Sequence, residues 1–258
     1  MFQYDYPQFE KKRLLRVEML DKLRDYPKNF IDLSFQGFGD GVVSGCQITW
    51  DDGRLTISPG MIYRKGSLYF MEQPYVLECK AEDRVRYLKV QFLAEVREAG
   101  KIVGNTRILL EDKKPDPACE IELCRFRLQE GARLRDSHEN LEDYSTEYDT
   151  INLVHQPYAA AGGSTLNPQI VRQFSKEMMR SRPSDPLDAS FSMTALSSHG
   201  LVTADCLREY LSARQGEDYE NKGNAGIYRG LLETLKNQRN GETRRGLSSQ
   251  GKRSVMLL

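Results

Sequence analysis

The sequence predicts an α+β protein with an N-terminal helix, an antiparallel β-sandwich or small barrel, and a C-terminal helical domain. Three observations support this class. Residues 10–25 are rich in strong helix formers with apolar residues on one face. Residues 40–135 contain short alternating runs separated by turn residues about every eight to twelve positions. Residues 166–239 carry helix-capping residues ahead of amphipathic runs.

These patterns divide the 258 residues into five predicted segments. An N-terminal arm and helix takes residues 1–31, and a β module takes residues 32–135. A polar connector over residues 136–165 leads to a helical domain over residues 166–239. A flexible tail over residues 240–258 completes the chain. A chain of this length can bury one large core or two smaller ones.

Aromatic residues alternate with polar ones at the start of the N-terminal segment. They are Phe2, Tyr4, Tyr6 and Phe9, spaced around Pro7. Two interpretations stay open, since these rings either pack against their own subunit or form an arm that reaches a neighbour. The second interpretation makes the four aromatic residues candidate interaction residues.

The predicted N-terminal helix has one apolar face and a predicted end. The residues of that face are Leu15, Met19, Leu20 and Leu23. Pro27 is expected to end the helix, because the residue that precedes a proline avoids the α region.

Turn residues separate the predicted strands of the β module. Asp51, Asp52 and Gly53 lie between two alternating runs, residues 46–50 and 54–58, and predict a hairpin. Further strands are predicted at residues 61–63, 68–70, 75–77, 84–96, 106–110 and 121–128. The candidate structural turn positions are Gly41, Gly45, Gly53, Pro59, Gly60, Gly66 and Gly131.

The C-terminal half changes in composition. Residues 130–149 hold seven acidic and two basic residues and predict an exposed connector. Asn167 as N-cap and Pro168 at the first helical position predict a helix to about residue 181. Three more helices are predicted at residues 188–198, 203–214 (capped by Thr203) and 227–238.

The tail after residue 239 carries a small basic excess and ends in four apolar residues, Val255 to Leu258. Two interpretations are open here as well: a disordered tail, or a terminal peptide that docks into a neighbour. The second makes Leu257 and Leu258 candidate interaction residues.

Bulk composition excludes several classes of protein. The 37 basic and 37 acidic residues cancel, whereas a general nucleic-acid binder usually has a basic excess. No run of about eighteen apolar residues predicts a membrane span, and residues 1–10 lack the apolar core of a secretory signal. We therefore expect a protein made in the cytoplasm that has no membrane partner and is then incorporated into a larger particle.

The search for catalytic and metal-binding motifs finds none. Residues 161–165 are glycine-rich but lack the lysine of a P-loop, and neither a GxSxG elbow nor an HExxH motif occurs. The five cysteines are expected to be reduced thiols that pack as small apolar side chains, because their spacing completes no zinc site. The sequence thus predicts no enzyme, no cofactor and no metal.

Six short motifs occur in the β module in a defined order. They are DGVVSG at residues 40–45, SPG at 58–60, GSLY at 66–69, EIEL at 120–123, GA at 131–132 and RD at 135–136. Together they resemble a module of phage tail-fibre and baseplate proteins, over a little more than a third of the chain.

The resemblance implies a structural, non-catalytic component of a phage tail or of a phage-tail-like particle such as a contractile injection system. Implied partners are other tail or baseplate proteins and further copies of the chain. No fibrous repeat follows the module, which favours a compact baseplate adaptor over a receptor-binding fibre.

Two alternative functions are weighed against this one. A carbohydrate-binding β module would use Trp50, Tyr63, Tyr69 and Tyr87 as a platform on which sugars stack. A nucleic-acid-associated protein would use the basic tail, but the zero net charge argues against it.

Overall fold

The computed structural model describes residues 7–9, 11, 14 and 16–241, and helix α1 covers Val17–Ser34. Pro27 lies inside this helix, so the prediction that Pro27 ends it is wrong. A proline in a helix interior removes one N–H donor, and the helix nevertheless continues for seven residues beyond it, to Ser34. There, Lys28 forms an ion pair with Asp32 one turn later.

The described part of the chain contains thirteen strands in four sheets. They are β1 (Gly41–Gly45), β2 (Ile48–Asp51), β3 (Arg54–Ile57), β4 (Gly60–Arg64), β5 (Ser67–Met71), β6 (Tyr75–Glu78), β7 (Val85–Phe92), β8 (Val96–Glu98), β9 (Lys101–Val103), β10 (Thr106–Glu111), β11 (Glu120–Arg127), β12 (Tyr158–Ala160) and β13 (Gly163–Thr165). The strand orders are β13-β12-β1-β4-β5, β10-β7-β11, β2-β3-β6 and β8-β9. With the helices before and after these sheets, the predicted α+β class is confirmed.

The hairpin predicted around Asp52 and Gly53 is confirmed. Strands β2 and β3 pair antiparallel up to Asp51 and Arg54, which leaves a two-residue turn at Asp52 and Gly53. Both turn residues have positive φ, 40° and 77°, as a type I′ turn requires. Strands β4 and β5 pair in the same way around a second two-residue turn.

The single predicted strand over residues 84–96 is shorter than expected. Strand β7 ends at Phe92, and the chain then forms the separate β8-β9 hairpin around Gly100. Both flanking strands of β7 are antiparallel to it, so β7 is the central strand of its sheet. Tyr87 to Val90 and Phe92 of β7 are buried, so side chains on both faces of this strand are removed from water.

The stretch over residues 130–149, predicted from its charges to be an exposed connector, is buried in part. Leu134, Leu141 and Tyr144 lie in the same hydrophobic cluster as the β module. Strand β12 then pairs in parallel with β1, with Val42 opposite Tyr158. The acidic residues of this segment lie at the surface or form ion pairs, whereas the apolar residues between them supply core contacts that charge counting does not detect.

The four C-terminal helices agree with the predicted ones. They are α2 (Pro168–Arg180), α3 (Pro186–Ser197), α4 (Ala204–Gln215) and α5 (Asn224–Arg239). The Asn167 side chain accepts a hydrogen bond from the Gln169 backbone N–H, and Thr203 accepts one from the Cys206 N–H. These N-caps satisfy backbone donors that a helix start leaves unpaired.

The helices and the sheets share one hydrophobic core. Leu123 of β11, Ile151, Phe174 of α2 and Leu231 of α5 are all buried in one cluster. A buried carboxylate adds polar contacts between the same regions, since Glu177 of α2 accepts hydrogen bonds from the Leu141 N–H and from Gln173. The boundaries predicted between the segments stay predictions.

Candidate functional site

Helix α1 presents an apolar face that nothing in the described part of the chain covers. Leu23 is 43% exposed, Tyr26 61%, Phe30 63% and Leu33 73%, and none of the residues of α1 is buried. Large apolar side chains that lie together at helical spacing and remain in water are typical of an interaction surface. This face is the main candidate functional site.

Charged side chains of α1 are paired along the helix. Arg24 contacts Asp21 at 3.1 Å and Asp25 at 2.7 Å, and Lys28 contacts Asp32. The hydrogen bond from Arg24 lowers the pKa of the Asp25 carboxyl group from its ordinary value. Because these groups neutralise one another, the apolar face has no strong local charge of either sign.

Helix α1 is anchored to the sheets at its C-terminal end. The ring of Phe35, directly after the helix, stacks on Tyr63 with centroids 5.2 Å apart. The same ring meets Phe38 edge-on at 5.1 Å. Aromatic contacts of this geometry contribute about 0.5–1.5 kcal/mol each beyond the area they bury. The C-terminal end of α1 is therefore attached to the sheet, and this attachment fixes one end of the exposed face.

Most of this face lies beyond the predicted end of the helix. Leu23 was assigned to an apolar side of the helix, but Tyr26, Phe30 and Leu33 were excluded because Pro27 was taken as the helix end. The signal that would have found them is the continued spacing of three and four residues across the proline.

The predicted interaction residues at the two ends of the chain lie mostly outside the described residues. This holds for Phe2, Tyr4, Tyr6, Leu257 and Leu258. Phe9 is described and is 52% exposed. The role of all six in subunit contacts stays a prediction.

Three of the candidate turn residues meet where β1 and β4 pair. Gly45 lies opposite Gly60 and has φ of +67°, and a Cβ atom added to it would come within 2.0 Å of the Pro59 carbonyl oxygen. A Cβ on Gly60 would come within 2.5 Å of the Cys46 nitrogen. The two backbones therefore approach more closely than any residue with a side chain allows.

The other turn candidates are dispersed over the β module. Gly41 opens β1, Gly53 and Gly66 lie in the turns of the β2-β3 and β4-β5 hairpins, and Gly131 lies in a turn after β11. They do not converge on a common surface. Their positions at turns and at a strand end are typical of residues with a structural role.

The aromatic platform predicted for carbohydrate binding does not form. Tyr63 and Tyr87 are buried, and the four aromatic residues belong to strands β2, β4, β5 and β7 of three different sheets. The Tyr87 ring is covered by the guanidinium group of Arg125 at 5.0 Å, and Tyr69 packs edge-on against Phe92. These rings are structural, so the prediction of a shared sugar-stacking surface is wrong.

The side chains of His138 and His155 are half-buried. The Nε2 atom of His138 lies 2.7 Å from the Ile151 carbonyl oxygen, and its ring stacks on Tyr144. Burial lowers the pKa of His155 to about 4. Within the described ranges, no group of three or more His, Cys, Asp or Glu side chains could hold a metal ion.

The cysteines follow the expectation in part. All five are free thiols, with Cys46, Cys79 and Cys124 buried, Cys119 half-buried and Cys206 exposed. Burial raises the pKa of both Cys46 and Cys79 to about 11. The buried thiols are thus protonated and pack as small apolar groups, whereas Cys206 lies at the surface of α4.

Smaller apolar groups are exposed at strand edges. Tyr75 and Val76 lie on β6 and Phe70 on β5, and each of these strands is at the edge of its sheet. Val96 and Ile102 are exposed on the β8-β9 hairpin. Each of these groups contains fewer exposed apolar residues than the face of α1. In the described part of the chain, no helix has the length and apolar character needed to cross a bilayer.

Comparison with known proteins gives coarse structural similarity alone. No family model matches the chain, and no curated protein matches it. A chain of the type VI secretion system TssK-TssF-TssG baseplate subcomplex is similar over 92% of this chain and 100% of that chain, with 13% identity and a TM-score of 0.37. A crystal structure of TssK is similar over 94% of this chain and 70% of that one, with 10% identity and a TM-score of 0.38.

A third similar structure is the baseplate complex from the type VI secretion system. It covers 92% of this chain and 100% of that chain, with 10% identity and a TM-score of 0.40. The similar chains therefore come from TssK and from baseplate complexes of one secretion system. With TM-scores of 0.37 to 0.40, the relation is coarse.

Proposed function

We propose that this protein is a non-catalytic structural component of a phage tail or phage-tail-like particle, in which it acts as a baseplate adaptor that links neighbouring subunits. The observation that carries this proposal is the uncovered apolar face of α1. The resemblance of the six motifs to those of tail-fibre and baseplate modules supports it from the sequence.

The physical argument starts from the cost of leaving α1 in water. Full burial of a leucine or phenylalanine side chain stabilises a protein by about 1.5–3 kcal/mol. Leu23, Phe30 and Leu33 forgo much of that gain in an isolated chain, because between 43% and 73% of each stays exposed. A subunit that is built to be covered by a neighbour recovers the difference on assembly.

The glycine contacts support a locating role for the β module. Gly45 and Gly60 bring β1 and β4 into close backbone contact, which leaves little freedom in the sheet that also holds β12 and β13. A stiff sheet that continues into helices through one core can hold contact surfaces in fixed relative positions. Fixed positions are what repeated contacts in a symmetric particle require.

The absence of catalysis is part of the proposal and rests on the missing P-loop, GxSxG and HExxH motifs of the sequence. The protein is made in the cytoplasm and joins the particle there. Its partners in this proposal are other tail or baseplate proteins.

The test is whether the protein belongs to a particle and is needed to build one. Particles are purified by sedimentation from cells that carry the native gene cluster, and the protein is quantified in them by mass spectrometry. We expect it at a constant stoichiometry in intact particles, and we expect a deletion strain to yield no complete particles. Complete, functional particles that lack the protein would overturn the proposal.

A matched pair of variants links the test to α1. Phe30→Asp places a charge on the apolar face, whereas Asn29→Asp adds the same charge at the neighbouring exposed position off that face. We expect the first variant to be depleted from particles and the second to be retained. Equal incorporation of both variants would contradict a role for the face.

A further inference from the structure

The apolar face of α1 has the spacing of a coiled-coil seam. Met19, Leu23, Tyr26, Phe30 and Leu33 follow one another at intervals of four, three, four and three residues; these five residues are called the α1 seam below. This alternation is the heptad spacing that keeps the apolar residues of two helices facing each other. All but the half-buried Met19 are exposed.

From this geometry we propose that the α1 seam pairs with the α1 seam of a second copy of the chain. The proposal names one partner of the adaptor and so rests on the structural role proposed above, although the geometry that supports it is independent of that role. The occupant is a second copy because the seam is self-complementary in spacing, area and charge.

The area of the seam is sufficient for such a pair. An aromatic side chain buries about 150–250 Å² when it is fully covered, and four of the five seam side chains are between 43% and 73% exposed. With roughly 120 Å² recovered from each of these four and a smaller area from Met19, two helices bury about 1,000 Å² together. This reaches the value of about 1,000 Å² that separates specific interfaces from incidental contacts.

The charges beside the seam permit self-association. Helix α1 holds four acidic residues and three basic ones. Arg24 and Lys28 each contact an aspartate of the same helix, so two copies meet without strong repulsion. A partner helix with a large charge of one sign would find no complement here. The net charge of zero over the whole chain acts in the same direction.

The anchored end of α1 makes the pairing geometrically defined. Stacking of Phe35 on Tyr63 attaches the helix to β4, so a seam formed by two copies also sets the distance between their sheets. The α1 seam therefore joins two chains and fixes the orientation of their β modules relative to each other.

The experiment is analytical ultracentrifugation of the full chain over a range of concentrations. We expect wild type to self-associate, Phe30→Asp to weaken association by at least about tenfold, and Asn29→Asp to leave it unchanged. Circular dichroism checks that the variants retain their helices. A wild type that is monomeric at every concentration, or a Phe30→Asp variant that associates like wild type, would overturn the proposal.

Cross-linking provides a second readout that does not depend on weakened binding. Tyr26 is the middle residue of the seam, so the two copies of this residue come together in either helix orientation. In a Cys206→Ser background, which removes the exposed native thiol, we expect Tyr26→Cys to form a covalent dimer under mild oxidation. Lys28→Cys, outside the seam, is the control, and equal cross-linking of the two would count against the pairing.

Failure of the pairing and failure of the proposed function are separable. A chain that is monomeric in solution but is present and required in particles would refute the α1 pairing and leave the structural role standing. A chain that forms the Tyr26 cross-link but is absent from complete particles would refute the structural role and leave the pairing standing.

Discussion

A buried carboxylate joins α3 and α4, and its removal should destabilise the protein strongly. Asp188 is fully buried. Its carboxylate accepts a hydrogen bond from the Tyr210 hydroxyl at 2.8 Å and two from Arg214 Nε at 3.0 and 3.1 Å. Tyr210 in turn stacks on Phe191 with centroids 3.9 Å apart. The carboxylate therefore supports a packed aromatic pair as well as a buried cation.

The expected magnitude follows from what Asp188→Ala leaves behind. The Arg214 side chain is only 7% exposed, and the other carboxylate within reach, Asp185, lies 3.9 Å from it. Removing one partner of a buried ion pair costs about 3–5 kcal/mol, because the remaining charge stays out of water without compensation. At about 2–4 °C per kcal/mol, the midpoint of thermal unfolding should fall by roughly 6–20 °C.

The assay compares Asp188→Ala with Asp205→Ala by urea and thermal unfolding. Asp205 also pairs with an arginine, Arg208 at 3.2 Å, but its side chain is 71% exposed. An exposed pair contributes about 1 kcal/mol or less. If the two variants lose equal stability, buried charge compensation at Asp188 is refuted as the source of the effect.

Three further predictions concern single positions. Gly45→Ala should lower the free energy of unfolding by about 3 kcal/mol or more, because the added Cβ meets the Pro59 oxygen. Gly66→Ala is the control: this position has a positive φ but open space around it, so the substitution should cost about 1–2 kcal/mol. Burial lowers the pKa of His155 to about 4 in the folded protein, so the free energy of unfolding should fall by on the order of 2–3 kcal/mol as the pH drops from about 6.5 to 4. In urea titrations, His155→Gln should reduce this dependence of stability on pH. Thr203→Ala should cost about 1 kcal/mol, measured in the same way, by removing the α4 cap.

Local signals in the sequence predicted the elements that local contacts determine. The Asp52-Gly53 pair predicts a two-residue hairpin turn because few other residues adopt positive φ at both positions. Asn167 and Thr203 predict helix starts because their side chains bond to the backbone two or three residues later. Each of these interactions spans fewer than five residues of chain.

Elements that depend on distant partners were missed. Strand β12 is three residues long and pairs with β13 nearby in the sequence, but it joins the larger sheet through β1, more than a hundred positions earlier. The connector was predicted to be exposed from its charges, but Leu141 and Tyr144 are buried against residues of other segments. Similarly, a lysine such as Lys89 is expected at the surface, but its side chain is 1% exposed and forms ion pairs with Glu111 and Glu120 of the two flanking strands.

The candidate site was also predictable only where it depends on neighbouring residues in the sequence. The sequence alone determined the α+β class, a hairpin turn, the helix caps and a helical apolar face that includes Met19 and Leu23, because period and cap chemistry are properties of neighbouring residues. Only the tertiary structure showed that this face continues past Pro27 to Leu33 and that no described element covers it. The physical reason is that the exposure of a helix depends on whether other parts of the same fold pack against it, and the spacing of the helix's own residues does not show that.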